Sequence, residues 1–203
     1  MVDDSAPRPA LASFDSAYLG TPPWEIGKPQ PTLAALFDAG EVRGRVLDVG
    51  CGTGELALLA ASRGLEAAGV DSAPRAIAIA RTRAAARGLT GVRFEVGDAL
   101  DLSFLNATFD TALDSGVFHV FSDQERARYV ESIRRVLVPG GRYHLVVFSD
   151  AEPGDWGPRR IKREELDAAF ARGWDLRAVE SATFEVNLDD GVVQAWRATA
   201  VRI

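Results

Sequence analysis

Arg45-Val46-Leu47-Asp48-Val49-Gly50-Cys51-Gly52-Thr53-Gly54-Glu55-Leu56-Ala57 decides the fold of this chain. Val46, Leu47 and Val49 form a short apolar run, as expected of a strand buried on both faces of a parallel sheet. Three glycines then alternate with small residues. A helix-forming run, Glu55 to Ala61, follows at once. Strand, glycine turn and helix make the first half of a nucleotide-binding βαβ unit. Gly50, Gly52 and Gly54 have no Cβ, so a ligand can lie against bare backbone.

Charge narrows the ligand. A dinucleotide loop presents a helix N-terminus to a pyrophosphate with G-x-G-x-x-G spacing. Here the third glycine comes one residue early, and Asp48 and Glu55 carry negative charge where phosphates would sit. Two carboxylates repel an anion and attract a cation. The expected ligand is nucleoside-like and positively charged, with a sulfonium and an amino group.

Outward from this stretch, Leu65 to Asp71 reads as a second strand with Asp71 at its carboxyl end. An acid there can accept hydrogen bonds from two vicinal ribose hydroxyls. Ser72 is expected to cap a helix from Pro74 through Arg87, leaving Asp71 free. Val92 to Val96 alternates as a third strand and leads into Gly97-Asp98-Ala99-Leu100, where Asp98 can accept from an adenine amino group and Leu100 can cover the ring. Phe109 to Asp114 reads as a fourth strand, continuing into Ser115 to Phe121. Ser122 and Glu125 form a capping box for the next helix, which Pro139-Gly140-Gly141 is expected to stop. Tyr143 to Phe148 is a fifth strand. A helix over Glu164 to Arg172 precedes two strand-like runs joined at Asp189-Asp190-Gly191.

Before the core, residues 1–10 are Pro- and Asp-rich, and Leu11 to Leu19 suits a short helix. The four-proline stretch from Gly20 to Pro31 excludes regular structure. Thr32 to Ala39 restores a helical pattern. The division expected is a lid segment over residues 1–30 and one domain over 31–203.

Asp48-Val49-Gly50-Cys51-Gly52-Thr53-Gly54, Asp71, Gly97-Asp98-Ala99 and the terminal hairpin together resemble the class I S-adenosylmethionine-dependent methyltransferases. The resemblance implies an α/β, doubly wound, mostly parallel seven-stranded Rossmann-like sheet of order 3-2-1-4-5-7-6, with strand 7 antiparallel. It implies S-adenosyl-L-methionine as cofactor and S-adenosyl-L-homocysteine as product. The glycine loop would hold the methionine part, Asp71 with Ser72 the ribose, and Asp98, Ala99 and Leu100 the adenine, with Ser115 on the same edge. A weaker likeness links Pro23 to Pro31 with the thiopurine, thiol/halide and tellurite-resistance methyltransferases, in which that segment folds over the cofactor. Trp24 would then be the contact; packing on the sheet edge is the alternative.

Methyl transfer from a sulfonium needs alignment above all, and a base only where the nucleophile arrives protonated. His119, five residues beyond Asp114, is the candidate proton acceptor, with pocket shaping as the other reading. Phe14, Tyr18, Phe118, Phe121 and Trp156 fit an apolar or aromatic small-molecule acceptor, methylated on oxygen or sulfur. Arg159 and Arg160 either meet an acidic acceptor or are solvated loop charges.

Composition bounds the rest. With 203 residues, 47% hydrophobic and 26% charged, one α/β domain with a substantial core is expected. A net charge of −6 disfavours nucleic acid. Cys51 is the sole cysteine, which excludes an intrachain disulfide and a thiolate metal cluster; no metal site is expected. No run is apolar enough for a bilayer, and no signal-peptide pattern opens the chain, so a cytoplasmic setting without membrane contact is expected. A nicotinamide dehydrogenase is disfavoured by the glycine spacing and Glu55. A macromolecular methyltransferase is disfavoured by charge and by the lack of Asn-Pro-Pro-aromatic after Leu113. A binding protein without catalysis stays open, as do the acceptor's identity and the oligomeric state.

Overall fold

The computed structural model describes residues 11–188 and 191–203; Asp189 and Asp190 of the expected hairpin turn lie outside these. In chain order come α1 (Leu11–Ala17), α2 (Pro31–Asp38), β1 (Val46–Val49), α3 (Glu55–Ser62), β2 (Ala67–Asp71), α4 (Pro74–Ala86) and β3 (Val92–Val96). There follow β4 (Phe109–Ser115), α5 (Asp123–Val136), β5 (Leu137–Phe148), α6 (Arg163–Ala169), β6 (Trp174–Glu185) and β7 (Val192–Arg202). The seven strands form one sheet of order β3-β2-β1-β4-β5-β7-β6. The first five are parallel to one another, and β7 is antiparallel to both β5 and β6. Architecture and strand order are those implied by the resemblance.

Helices cover both faces, so the central strands need apolar side chains in both directions. Leu33, Leu36, Leu56, Ile77 and Ala80 of α2, α3 and α4 pack on one side of the sheet. Tyr129, Ile133, Leu166 and Phe170 of the α5–α6 layer pack on the other. The order of strand addition reverses between β1 and β4, which opens the crevice at their carboxyl ends where ligands bind in such sheets.

The capping box of α5 forms as expected. Ser122 accepts from the Glu125 N–H, and the Glu125 carboxylate accepts from the Ser122 N–H. The end of α5 differs from expectation. Leu137 is already extended and begins β5, pairing with Phe109, and the ladder slips before it resumes at Thr111 and Arg142. A bulge thus absorbs Pro139-Gly140-Gly141 within a strand instead of those residues stopping the helix, because bulges tolerate proline that a ladder does not.

Residues 23–32 run beside the outer side of β6. Gln30 donates to the Glu185 carbonyl and accepts from its N–H, Thr32 donates to the Thr183 carbonyl, and the Pro23 carbonyl accepts from the Asn187 N–H. Residues 183, 185 and 187 are thus engaged from outside the sheet. No helix of the described residues is long and apolar enough to cross a membrane.

Candidate active site

The glycine loop joins β1 to α3 with Gly50, Gly52 and Gly54 all at positive φ. A Cβ on Gly50 would lie 2.1 Å from Val117 Cγ2, and one on Gly52 would lie 2.8 Å from the Tyr18 hydroxyl. Bare backbone is therefore required where the loop after β4 and the N-terminal segment close on it. Cys51 sits between them, its thiol pushed well above the ordinary range by burial and by Asp48 and Asp71. A thiol held protonated this way is not a nucleophile.

Three carboxylates lie at the ends of β1, β2 and β4. Asp48 is buried and accepts from the Ala57 N–H in the first turn of α3, at 3.0 Å. Burial, then the neighbouring Asp71 and Asp114, raise its carboxyl to about 8 despite that bond. Asp71 accepts from the Gly52 N–H and the Ala73 N–H, each at 2.8 Å, and burial raises its pKa too. Ser72 does not cap α4 as expected: the N-cap is Ala73, without a side-chain cap. The two oxygens of Asp71 keep further lone pairs for two hydroxyl donors. Asp114 was passed over as a site residue. Its carboxylate accepts from the Tyr129 and Tyr143 hydroxyls and from the N–H groups of Val117 and Phe118. These four bonds fix the turn that carries His119.

Glu55 pairs with Arg83 of α4 and with Arg87 at its C-cap, so its charge is compensated, whereas Asp48, Asp71 and Asp114 lie at the strand ends. Asp98 accepts from the Leu100 N–H at 3.0 Å in a turn beyond β3, with Ala99 half-buried and Leu100 buried. Ser72 and Ser115 are half-buried on the same edge.

The N-terminal segment reaches the loop through Tyr18. Its hydroxyl lies over Gly52 and accepts from the Trp24 indole N–H at 2.9 Å, while Trp24 itself is 41% exposed and packs edge-on against Phe14. Glu25 is the second link, missed in the sequence because its partners are remote. Thr53 donates to it, and Arg83 bridges Glu25, Thr53 and Glu55. Arg83→Ala would leave two carboxylates facing each other. We expect a thermal midpoint about 3–6 °C lower and faster hydrogen exchange over residues 20–30. Unchanged exchange would show that the bridge does not hold the segment.

His119 occupies the turn after β4. Its ring packs edge-on against Phe148 at 5.0 Å and near Phe184, and its Nδ1 accepts from the Phe148 N–H at 3.1 Å. Neutral imidazole then carries its proton on Nε2, which lies beside Gly116 and has no partner among the described residues. Burial, with Arg126 and Arg160 nearby, lowers its pKa to about 3. The ring lone pair is committed to the Phe148 N–H, an arrangement that favours the pocket-shaping reading of His119 over that of a base. Phe118 and Phe121, expected in the pocket, are core residues packed on Phe170 and Tyr129. Trp156 lies at the surface against Phe148.

A profile described as a methyltransferase domain matches residues 46–141. Over 186 residues the chain is 38% identical to the 2-heptyl-1-hydroxyquinolin-4(1H)-one methyltransferase of Mycobacteroides abscessus, covering 87% of this chain and 82% of that one. The chain belongs to the S-adenosylmethionine-dependent methyltransferases. This methyltransferase is also 44% identical over 115 residues to the demethylmenaquinone methyltransferase of Thermus thermophilus, 56% of its own length and 51% of that protein's. A solved structure concerned with conversion of a disulfide bond into a thioacetal group during echinomycin biosynthesis superposes with a TM-score of 0.86 at 35% identity, covering 95% of this chain and 93% of that one. TehB from Haemophilus influenzae shares the fold at a TM-score of 0.69 and 17% identity, over 83% of this chain and 62% of that chain. Membership makes the methyltransferase an S-adenosylmethionine-dependent enzyme, and removes the nicotinamide and non-catalytic readings.

Proposed function

We propose that this enzyme methylates oxygen or sulfur on a small, flat, apolar acceptor. The observation that carries the reading is an aromatic group: His119 and Trp156 in the segments after β4 and β5, with Phe148 and Phe184 at the carboxyl ends of β5 and β6. Phe148 packs against each of the other three at 5.0 to 5.6 Å. Such faces bind planar rings. Two relatives act on hydroxyquinolone and demethylmenaquinone by name, which supports the same acceptor class here.

Residue roles follow from the crevice. Gly50, Cys51, Gly52 and Gly54 receive the methionine part of the cofactor, and Asp48 supplies the negative field its amino group and sulfonium require. Asp71 with Ser72 binds the ribose; Asp98, Ala99 and Leu100 bind the adenine; Ser115 closes the edge. Tyr18 and Trp24 cover the loop, so residues 1–30 act as a lid on a single domain over 31–203, with residues 1–10 outside the described part. The bound cofactor supplies an already activated methyl group, leaving the chain to orient the acceptor and exclude water. The net charge of −6 and the sole cysteine support a cytoplasmic enzyme of small molecules with no nucleic-acid partner.

S-adenosylhomocysteine should raise the thermal midpoint, since a ligand of the native state alone stabilises it. Transfer of labelled methyl should then be seen to phenols, hydroxyquinolones or aromatic thiols. Label found only on amines or on macromolecules would overturn the reading.

A further inference from the structure

We infer that the acceptor is bound as a preformed oxyanion or thiolate, held by Arg160 and by the Nε2–H of His119, with no side chain removing its proton. The inference rests on the aromatic group being the acceptor site. Two neighbouring arginines are neutralised. Arg126 pairs with Asp123 and Glu165, and Arg159 pairs with the same two carboxylates. Arg160 has no ion-pair partner among the described residues. Its guanidinium donates only to the carbonyls of Pro153, Trp156 and Pro158, and its Nε–H is buried without a partner.

Arg160 is also placed where it matters. The guanidinium lies 5.5 Å from the centroids of both Phe148 and Trp156. Phe148 in turn packs on His119 and fixes its tautomer. The charged groups acting on His119 are Arg126 and Arg160, both cationic, so nothing there draws a proton onto the ring. A donor and an unpaired guanidinium on one aromatic box favour an anion over its neutral acid. Across the crevice the sign reverses, with Asp48, Asp71 and Asp114 on the cofactor side. In the transfer the acceptor's lone pair bonds to the methyl carbon as the carbon–sulfonium bond breaks. The electron pair of that bond stays on sulfur, and opposite charges cancel without any proton moving. The acceptor proton has already gone to water. The substrate class is thus hydroxyls or thiols acidic enough to ionise near neutral pH, not alcohols or amines.

The test uses 4-nitrophenol, which ionises near neutral pH, and 4-methylphenol, which does not. With S-adenosylhomocysteine present, wild type should bind 4-nitrophenol as the coloured phenolate and lower its apparent pKa by about one unit. Arg160→Gln should lose that shift, Arg160→Lys should restore part of it, and cofactor affinity should stay as in wild type. His119→Gln, which keeps a donor, should retain more of it than His119→Phe. The inflection in kcat/KM against pH should track the acceptor's own pKa. Absence of phenolate binding by wild type, or unchanged binding by Arg160→Gln, overturns the inference. So does methylation of both phenols with one common inflection, which would reveal a base owned by the enzyme. Phenolate binding without methylation of any oxygen or sulfur acceptor would leave the anion site standing and sink the acceptor reading alone.

Discussion

Titration of Asp71→Ala with S-adenosylmethionine is expected to return an affinity about two to four orders of magnitude below wild type. Two hydroxyl donors to a charged acceptor are lost, each worth about 1.5–3 kcal/mol. The same carboxylate accepts from Gly52 and Ala73, so its removal also frees the loop that must cradle the ligand. The ligand-free thermal midpoint separates the two effects, because loosening lowers it whereas loss of ribose contacts does not. Calorimetric affinity within about threefold of wild type would remove Asp71 from the site.

Asp48→Asn should pull stability and binding in opposite directions. The Asp48 carboxyl is held at about 8 in the folded protein, against about 3.9 in an unfolded chain. A folded pKa raised above the unfolded one gives a stability contribution that is complete below the lower value. It is lost as pH rises through the upper one. Asparagine stays neutral throughout, so the variant's midpoint should hold at about pH 9 where wild type falls, and exceed it by several degrees. Cofactor binding should show the reverse. A sulfonium and an ammonium favour the ionised carboxylate, so wild-type affinity should rise from about pH 6 to 9 with release of a proton. The variant should bind about tenfold to a hundredfold more weakly, with little dependence on pH. Midpoints that fall equally in both proteins would mean that Asp48 is already ionised when folded.

How much of this was legible depends on the range of the interaction. β1, the glycine turn and α3 are local, and the sequence reading placed them within a residue. The same holds for α4 and for the α5 capping box, whose partners are three residues apart. The start of β5 was hidden, because a helix running straight into a strand leaves no turn residue to mark the change at Leu137. The opposed charges were half readable. Asp48 and Asp71 follow from their strand ends, but the compensation of Glu55 does not, since only the folded α4 brings Arg83 and Arg87 to it. His119 shows the limit most sharply. Its position after β4 made it a site residue, yet its tautomer is set by a backbone N–H 29 residues away. The lack of a countercharge on Arg160 is likewise a property of the packed loop that no spacing encodes.

The run of residues 23–32 along β6 bears on how the lid can be studied. A sheet-edge strand stripped of its companions offers open N–H and C=O groups that recruit a neighbouring chain. Gln30, Thr32 and the Pro23 carbonyl occupy those groups at Thr183, Glu185 and Asn187. The segment thus serves as a selvedge that keeps the fabric from joining to the next piece. Cutting the chain at residue 30 would open that seam and give self-association along with any loss of the lid, whereas cutting at residue 20 removes Tyr18 and leaves the seam closed.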